Sequence, residues 1–212
     1  YADALRRFLD DLDLSTVHLL GHSLGTLIAA AFARKCPERL NSLILVSAAG
    51  GYGIKKGGML PDKVRARIDD LERLGPVAFA GARAANLVHD PKSNAPVVAQ
   101  VQAAMAQINP KGYAQAVQLL ASGDLPADML HVPFCPGFIL GAADRITPRD
   151  QTDAAALAWE TAHGVRPPVH MIEGAGHAVY LQKPREFCAA LMTLLQEQAR
   201  SVPGSDHHHE ET

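Results

Sequence analysis

The chain has 212 residues, 48% hydrophobic and 20% charged, with a formal net charge of −2. This composition fits a soluble globular protein with one substantial core, or a core and a small second lobe. It gives no electrostatic case for nucleic acid or an anionic membrane as partner, and no apolar run is long enough to span a bilayer.

From the N-terminus, residues 1–12 place Tyr1, Leu5, Phe8, Leu9 and Leu12 at helical spacing. Thr16 to Leu20 is the short apolar run expected of a strand buried in a parallel sheet. Residues 24–35, rich in Ala, Leu and Ile, predict a buried helix that ends near Cys36-Pro37. Leu43 to Ser47 predicts a second buried strand, and Gly50-Gly51-Tyr52-Gly53 with Gly57-Gly58 a flexible connection. From Pro61 to about Ser122 only helical patterns occur, broken at Gly75-Pro76, Asp90-Pro91 and Asn109-Pro110. A strand at Gly137 to Gly141, a helix over about residues 149–163 with Trp159, a strand at Val169 to Ile172 and a closing helix over residues 184–199 complete the pattern. Residues 201–212 are polar and expected to be disordered. Strands and helices alternate on both sides of a helical block. The expected fold class is therefore α/β: a mostly parallel sheet built from residues 1–50 and 124–200, with residues 51–123 as a helical cap.

Cys36, Cys135 and Cys188 are odd in number and match no metal motif. They read as free buried thiols, which suits a reducing compartment. No signal peptide is visible, so a cytoplasmic location is expected.

The chemistry is expected at Gly21-His22-Ser23-Leu24-Gly25, a G-x-S-x-G pattern between a predicted strand and a predicted helix. A sharp turn there strains the serine backbone and projects its hydroxyl, and glycines on both sides let strand and helix pass closely. The Leu24 N–H, at the helix start, is a candidate donor to an oxyanion. A serine needs a base, and the base an orienting acid, in the order Ser, acid, His along the chain. Gly141 to Pro148 follows a strand directly and offers Asp144; Gly174-Ala175-Gly176-His177 follows the next strand and offers His177. Asp150 and Asp153 fall inside the following helix, and Glu173 is expected to point away. After the strand that follows the serine, Ser47-Ala48-Ala49-Gly50 holds no carboxylate. Among the other histidines, His18 and His170 lie within strands, His89, His131 and His163 on or beside helices, and His207 to His209 on the polar tail. His22 is expected to shape the pocket floor or support the turn.

Together, Gly21 to Gly25, Gly141 to Pro148 and Gly174 to Pro184 resemble the α/β-hydrolase superfamily. The resemblance implies an eight-stranded, mostly parallel sheet with a helical cap inserted after the strand that follows the nucleophile helix, where residues 51–123 lie. It also implies earlier strands and a His-Gly loop that supplies a second oxyanion donor. Tyr1 begins in the helix before the nucleophile strand, so the chain reads as the C-terminal part of a longer protein. On that reading it exposes a sheet edge and is nearly inactive alone, since one lost oxyanion donor costs about 10²–10³ in turnover.

The expected reaction is two-step acyl transfer on a small-molecule substrate, a small carboxylic ester or lactone, with no metal or cofactor implied. Asn109 to Ala114, running on to Gly123-Asp124-Leu125, resembles the cap end of 3-oxoadipate enol-lactonases, which favours an enol-lactone. Candidate pocket residues are His22, Tyr113 and Ala178. C–C hydrolases of aromatic ring cleavage share the scaffold but commonly carry Asn where this chain has His22. Haloalkane dehalogenases need a carboxylate in place of Ser23. Cofactor-free haloperoxidases use the same three residue types, and a non-catalytic binding protein needs none of them. The oligomeric state is not encoded in any pattern seen.

Overall fold

The computed structural model describes residues 1–55 and 58–200. The polar tail from Ser201, with His207 to His209, and Gly57 of the glycine-rich connection lie outside the described residues. In chain order the elements are α1 (Ala2–Asp11), β1 (Val17–His22), α2 (Leu24–Lys35), β2 (Leu40–Val46), α3 (Asp62–Arg83), α4 (Ala95–Met105), α5 (Pro110–Ser122), α6 (Leu125–Met129), β3 (Gly137–Gly141), α7 (Arg149–His163), β4 (Val169–Ile172), α8 (Val179–Gln182) and α9 (Pro184–Arg200). The four strands form one sheet in the order β1-β2-β3-β4, and every neighbouring pair is parallel. Parallel neighbours need a crossover. Here α2 links β1 to β2, the block α3 to α6 links β2 to β3, and α7 links β3 to β4.

The period of two along β2 sends its residues to two cores. Leu43 and Leu45 pack with Leu27, Ala30, Phe138 and Trp159 on the face covered by α2 and α7. Ile44 and Val46 pack with Ile139, Ile172 and Leu194 on the face covered by α9. Burial on both faces is why these strands read as continuous apolar runs. Each such fully buried Leu or Ile stabilises the fold by roughly 1.5–3 kcal/mol. The Trp159 indole N–H donates to the Val132 carbonyl at 3.0 Å.

Two strand boundaries differ from the sequence reading. β1 runs on through Gly21 and His22, because these pair with Leu45 and Val46 of β2. β2 starts at Leu40 and stops at Val46, since Ser47 turns out of the strand with φ 47°. The cysteines also differ: all three are free, but Cys36 is buried, Cys135 half-buried and Cys188 exposed.

The helical block leaves and rejoins the sheet through one neck. Gly51 bridges Asp124, Gly53 N–H donates to the Gly123 carbonyl at 2.8 Å, and Leu125 N–H to the Gly50 carbonyl at 2.8 Å. Gly51 has φ 81°, and a Cβ there would lie 2.0 Å from the Gly123 oxygen. Within the block α3 is bent: Gly75, before Pro76, has φ 72° and ψ 163°. No described helix is long and apolar enough to cross a membrane.

Candidate active site

The carboxyl ends of β1, β3 and β4 lead into Ser23, Asp144 and the loop of His177, the three residues singled out in the sequence. At the end of β1 the chain turns into α2 through Ser23, which has φ 52° and ψ −120°. A non-glycine residue at positive φ costs about 1–3 kcal/mol, so the turn must be held from outside. It is held by the Ser23 N–H, which donates to the Val46 carbonyl at 2.9 Å. Thr26 ties the same turn: its hydroxyl donates to the Ser23 carbonyl at 2.6 Å and accepts from the Ala49 N–H at 3.1 Å. The two glycines differ in their need. A Cβ on Gly21 would lie 2.5 Å from the Gly25 carbonyl oxygen, whereas one on Gly25 would meet nothing within 4 Å. Only Gly21 is sterically required, which corrects the expectation for the pair. Leu24 opens α2, so its N–H has no acceptor within the helix.

After β3, Asp144 is 7% exposed and well bound. Its Oδ1 accepts from the N–H groups of Ile146 at 2.8 Å and Thr147 at 3.0 Å. Its Oδ2 lies 2.8 Å from His177 Nδ1. Burial pushes the Asp144 carboxyl up. The hydrogen bond and charge of His177, with the two N–H donors, outweigh it and leave the pKa below the ordinary value. The Thr147 hydroxyl sits 2.9 Å from Asp144 Oδ2, 3.0 Å from the Ser47 carbonyl oxygen and 3.2 Å from His177 Nδ1. Thr147 thus fastens acid and imidazole to the tip of β2, a role the sequence reading missed. Its signal was the three-residue spacing from Asp144 that a side-chain turn favours.

After β4, His177 is 3% exposed. Facing a carboxylate, its Nδ1 carries the proton, which leaves Nε2 as the basic nitrogen. Its loop fits only because glycines are present. A Cβ on Gly141 would lie 2.3 Å from the Gly176 oxygen, and one on Gly176 2.8 Å from the His89 nitrogen. Gln182 adds a clamp that no local pattern announced. Its Oε1 accepts from Gly176 N–H at 2.8 Å and His89 N–H at 2.9 Å, and its amide donates to the His89 carbonyl at 3.0 Å.

Ser23 and His177 border one cavity of about 390 Å³, with Leu24, Thr147 and Tyr113 also on its wall. Tyr113 thus stands where a pocket residue should. His22 and Ala178 do not line it. Ala178 is buried among Ala84, Val88 and Val101. His22 stands behind the His loop, its Nε2–H donating to the His177 carbonyl at 3.0 Å. Burial, then the neighbouring His177, lower its pKa to about 4, so it is neutral near pH 7. Asp150 and Asp153 lie on α7, where Asp153 pairs with Arg149 and Arg166, and Glu173 is exposed. Among the described residues no group of three or more His, Cys, Asp or Glu could hold a metal ion.

A doubly covered parallel sheet that gathers a strained serine, a buried imidazole and a buried carboxylate at its carboxyl edge has the layout of an α/β enzyme. The model of the alpha/beta hydrolase family matches residues 1–190, and the chain belongs to that family. A pimeloyl-acyl-carrier protein methyl ester esterase of Citrobacter koseri is 27% identical over 191 residues, covering 84% of this chain and 69% of that protein. Among solved structures, a thermophilic esterase from Thermogutta terrifontis superposes with a TM-score of 0.79 at 23% identity, covering 93% of this chain and 71% of that one. The enol-lactonase from Burkholderia xenovorans LB400 gives 0.78 at 18% identity, covering 92% and 71%. The two superpositions bear on the fold. The family match and the esterase relative support a hydrolase.

Proposed function

We propose that this protein is a serine hydrolase that cleaves a small carboxylic ester or lactone through an acyl-enzyme. One observation carries the reading: the 2.8 Å contact of His177 Nδ1 with Asp144 lies behind a cavity that the strained Ser23 also borders. Ser23 Oγ attacks the carbonyl carbon while its proton passes to His177 Nε2. Asp144 holds the imidazole in the required tautomer and stabilises the cation that forms. The Leu24 N–H donates to the oxyanion. When the intermediate collapses, the C–O bond breaks and His177 returns the proton to the leaving alkoxide. Water then adds to the acyl-enzyme by the same route and releases the acid. The methyl ester esterase relative and the enol-lactonase of like fold support the ester and lactone classes respectively.

Labelling with a fluorophosphonate probe tests this directly. Wild type should be modified on the peptide that contains Ser23, and Ser23→Ala should not react while keeping its circular dichroism spectrum. Equal labelling of the two proteins would end the assignment.

A further inference from the structure

The cavity that Ser23 and His177 border carries positive charge on its wall. Arg67 and Arg83 both line it, and no Asp or Glu does. Most of the remaining wall is apolar, with Leu87, Met105, Val117 and Leu120. The whole chain carries a formal net charge of −2, so this concentration of positive charge is local rather than general.

Two arginines from one helix do not meet by default. They are sixteen residues apart, which along a straight helix is about 24 Å. The bend of α3 at Gly75 breaks that separation and turns both arms towards one cavity. Neither guanidinium is well neutralised. Among the described residues no carboxylate pairs with Arg67, which is half-buried. Arg83 approaches Asp70 only at 3.9 Å, and the other oxygen of Asp70 takes a closer bond from Arg73 at 2.8 Å. The Arg83 guanidinium instead lies over the Phe79 ring, 4.9 Å from its centre, which orients it without cancelling its charge.

We infer that Arg67 and Arg83 form a carboxylate-binding subsite, and that the substrate is an acid ester or acid lactone: a carbonyl at Ser23 and a carboxylate at the other end of a short apolar chain. This rests on the serine hydrolase reading for the position of the carbonyl. Arginine suits the task because its planar fork matches a carboxylate. Asp70 is engaged mainly by Arg73, so both guanidiniums keep positive charge to offer an acid group in the cavity. The volume of about 390 Å³ suits a small molecule.

The test measures binding first. Ser23→Ala protein is titrated with monomethyl glutarate and with methyl pentanoate, followed by NMR. The acid ester should bind at least ~10-fold more tightly, as expected for charge-assisted hydrogen bonds. The advantage should shrink as salt is raised, since the arginines are partly exposed. It should vanish in R67M/R83M on the same background and survive in part in R67K/R83K, which keeps charge but loses the fork. The lysine pair also keeps the test valid should the methionine pair fail to fold. Equal binding of the two esters, or an advantage untouched by R67M/R83M, would overturn the inference. The hydrolase reading is judged apart from this, by fluorophosphonate labelling of Ser23 in wild type. Tight, arginine-dependent binding without labelling would sink the serine mechanism and leave the subsite standing.

Discussion

Replacing His22 by Gln should make the fold less sensitive to mild acid. In the folded protein His22 is half-buried against the His177 loop, and its pKa is lowered from 6.5 to about 4. The unfolded chain therefore binds more protons than the folded one between those values. Stability from this group is complete above pH 6.5 and is lost as pH falls towards 4. From pH 7 to pH 5 the loss is about 2 kcal/mol by linkage. Asp144 does not contribute in this window. Its pKa is depressed below an ordinary value of 3.8, so its share of stability is lost only in stronger acid. Glutamine keeps an N–H donor for the His177 carbonyl and takes up no proton. The assay is urea unfolding of wild type and His22→Gln at pH 7 and pH 5, extrapolated to water. Wild type should lose about 2 kcal/mol more than the variant over that interval. Parallel losses in the two proteins would show that a neutral His22 is not the source.

Three further substitutions probe the site. Asp144→Asn should leave the fold largely intact yet slow fluorophosphonate labelling of Ser23 by up to about 10⁴-fold, because an amide no longer enforces the tautomer with a free Nε2; a rate within a factor of two of wild type would contradict the role given to Asp144. Gly21→Ala should cost about 1–3 kcal/mol in urea unfolding, since its Cβ would press on the Gly25 carbonyl at 2.5 Å, whereas Gly25→Ala, with open space, should gain up to about 1 kcal/mol; the reverse order would refute the steric account of the turn. Gln182→Leu strands two N–H groups and should slow labelling by loosening the loop that carries His177, while Gln182→Glu keeps the acceptor for both but loses the donor to the His89 carbonyl and should restore only part of the rate, so equal defects in the two would argue against the clamp.

The legible parts of this molecule were those whose cause is local. The strands that hold Leu43 to Val46 and Phe138 to Leu140 announced themselves because both faces are buried, so no polar residue interrupts the run. The start of β2 was missed for the same reason reversed. Asn41 is exposed, and Ser42 is polar because it receives the His18 ring at 2.8 Å from the neighbouring strand. The strand-turn-helix around Ser23 could be read because its steric demand, a missing Cβ at Gly21, is met within five residues. Contacts made across long stretches left no such trace. Gln198 on α9 reaches the backbone of Leu43 with both amide atoms at 3.2 Å, and only the folded sheet brings them together. Nothing local in the sequence sets Arg67 and Arg83 apart, and only the bend at Gly75 brings both to one cavity. Gly75-Pro76 was visible as a break, but a break does not state which side chains it will gather.

The helical block does more than wall the cavity. Residues just past Arg83 hold the loop that carries His177: the Leu87 carbonyl accepts from the Ala178 N–H at 3.0 Å, and the His89 backbone is bound through Gln182 to Gly176. On its other side the same loop rests on Gly141, so closely that no side chain fits between. The backbone of the His177 loop is therefore held by a sheet end beneath it and by the helical block above it, while Asp144 and Thr147 hold the imidazole itself. On the proposed subsite, a ligand gripped by Arg83 would be held by the same stretch that supports the His177 loop. Loosening residues 87–89 should then disturb ligand affinity and Ser23 reactivity together, whereas a block that merely covered the cavity would allow the first to change without the second.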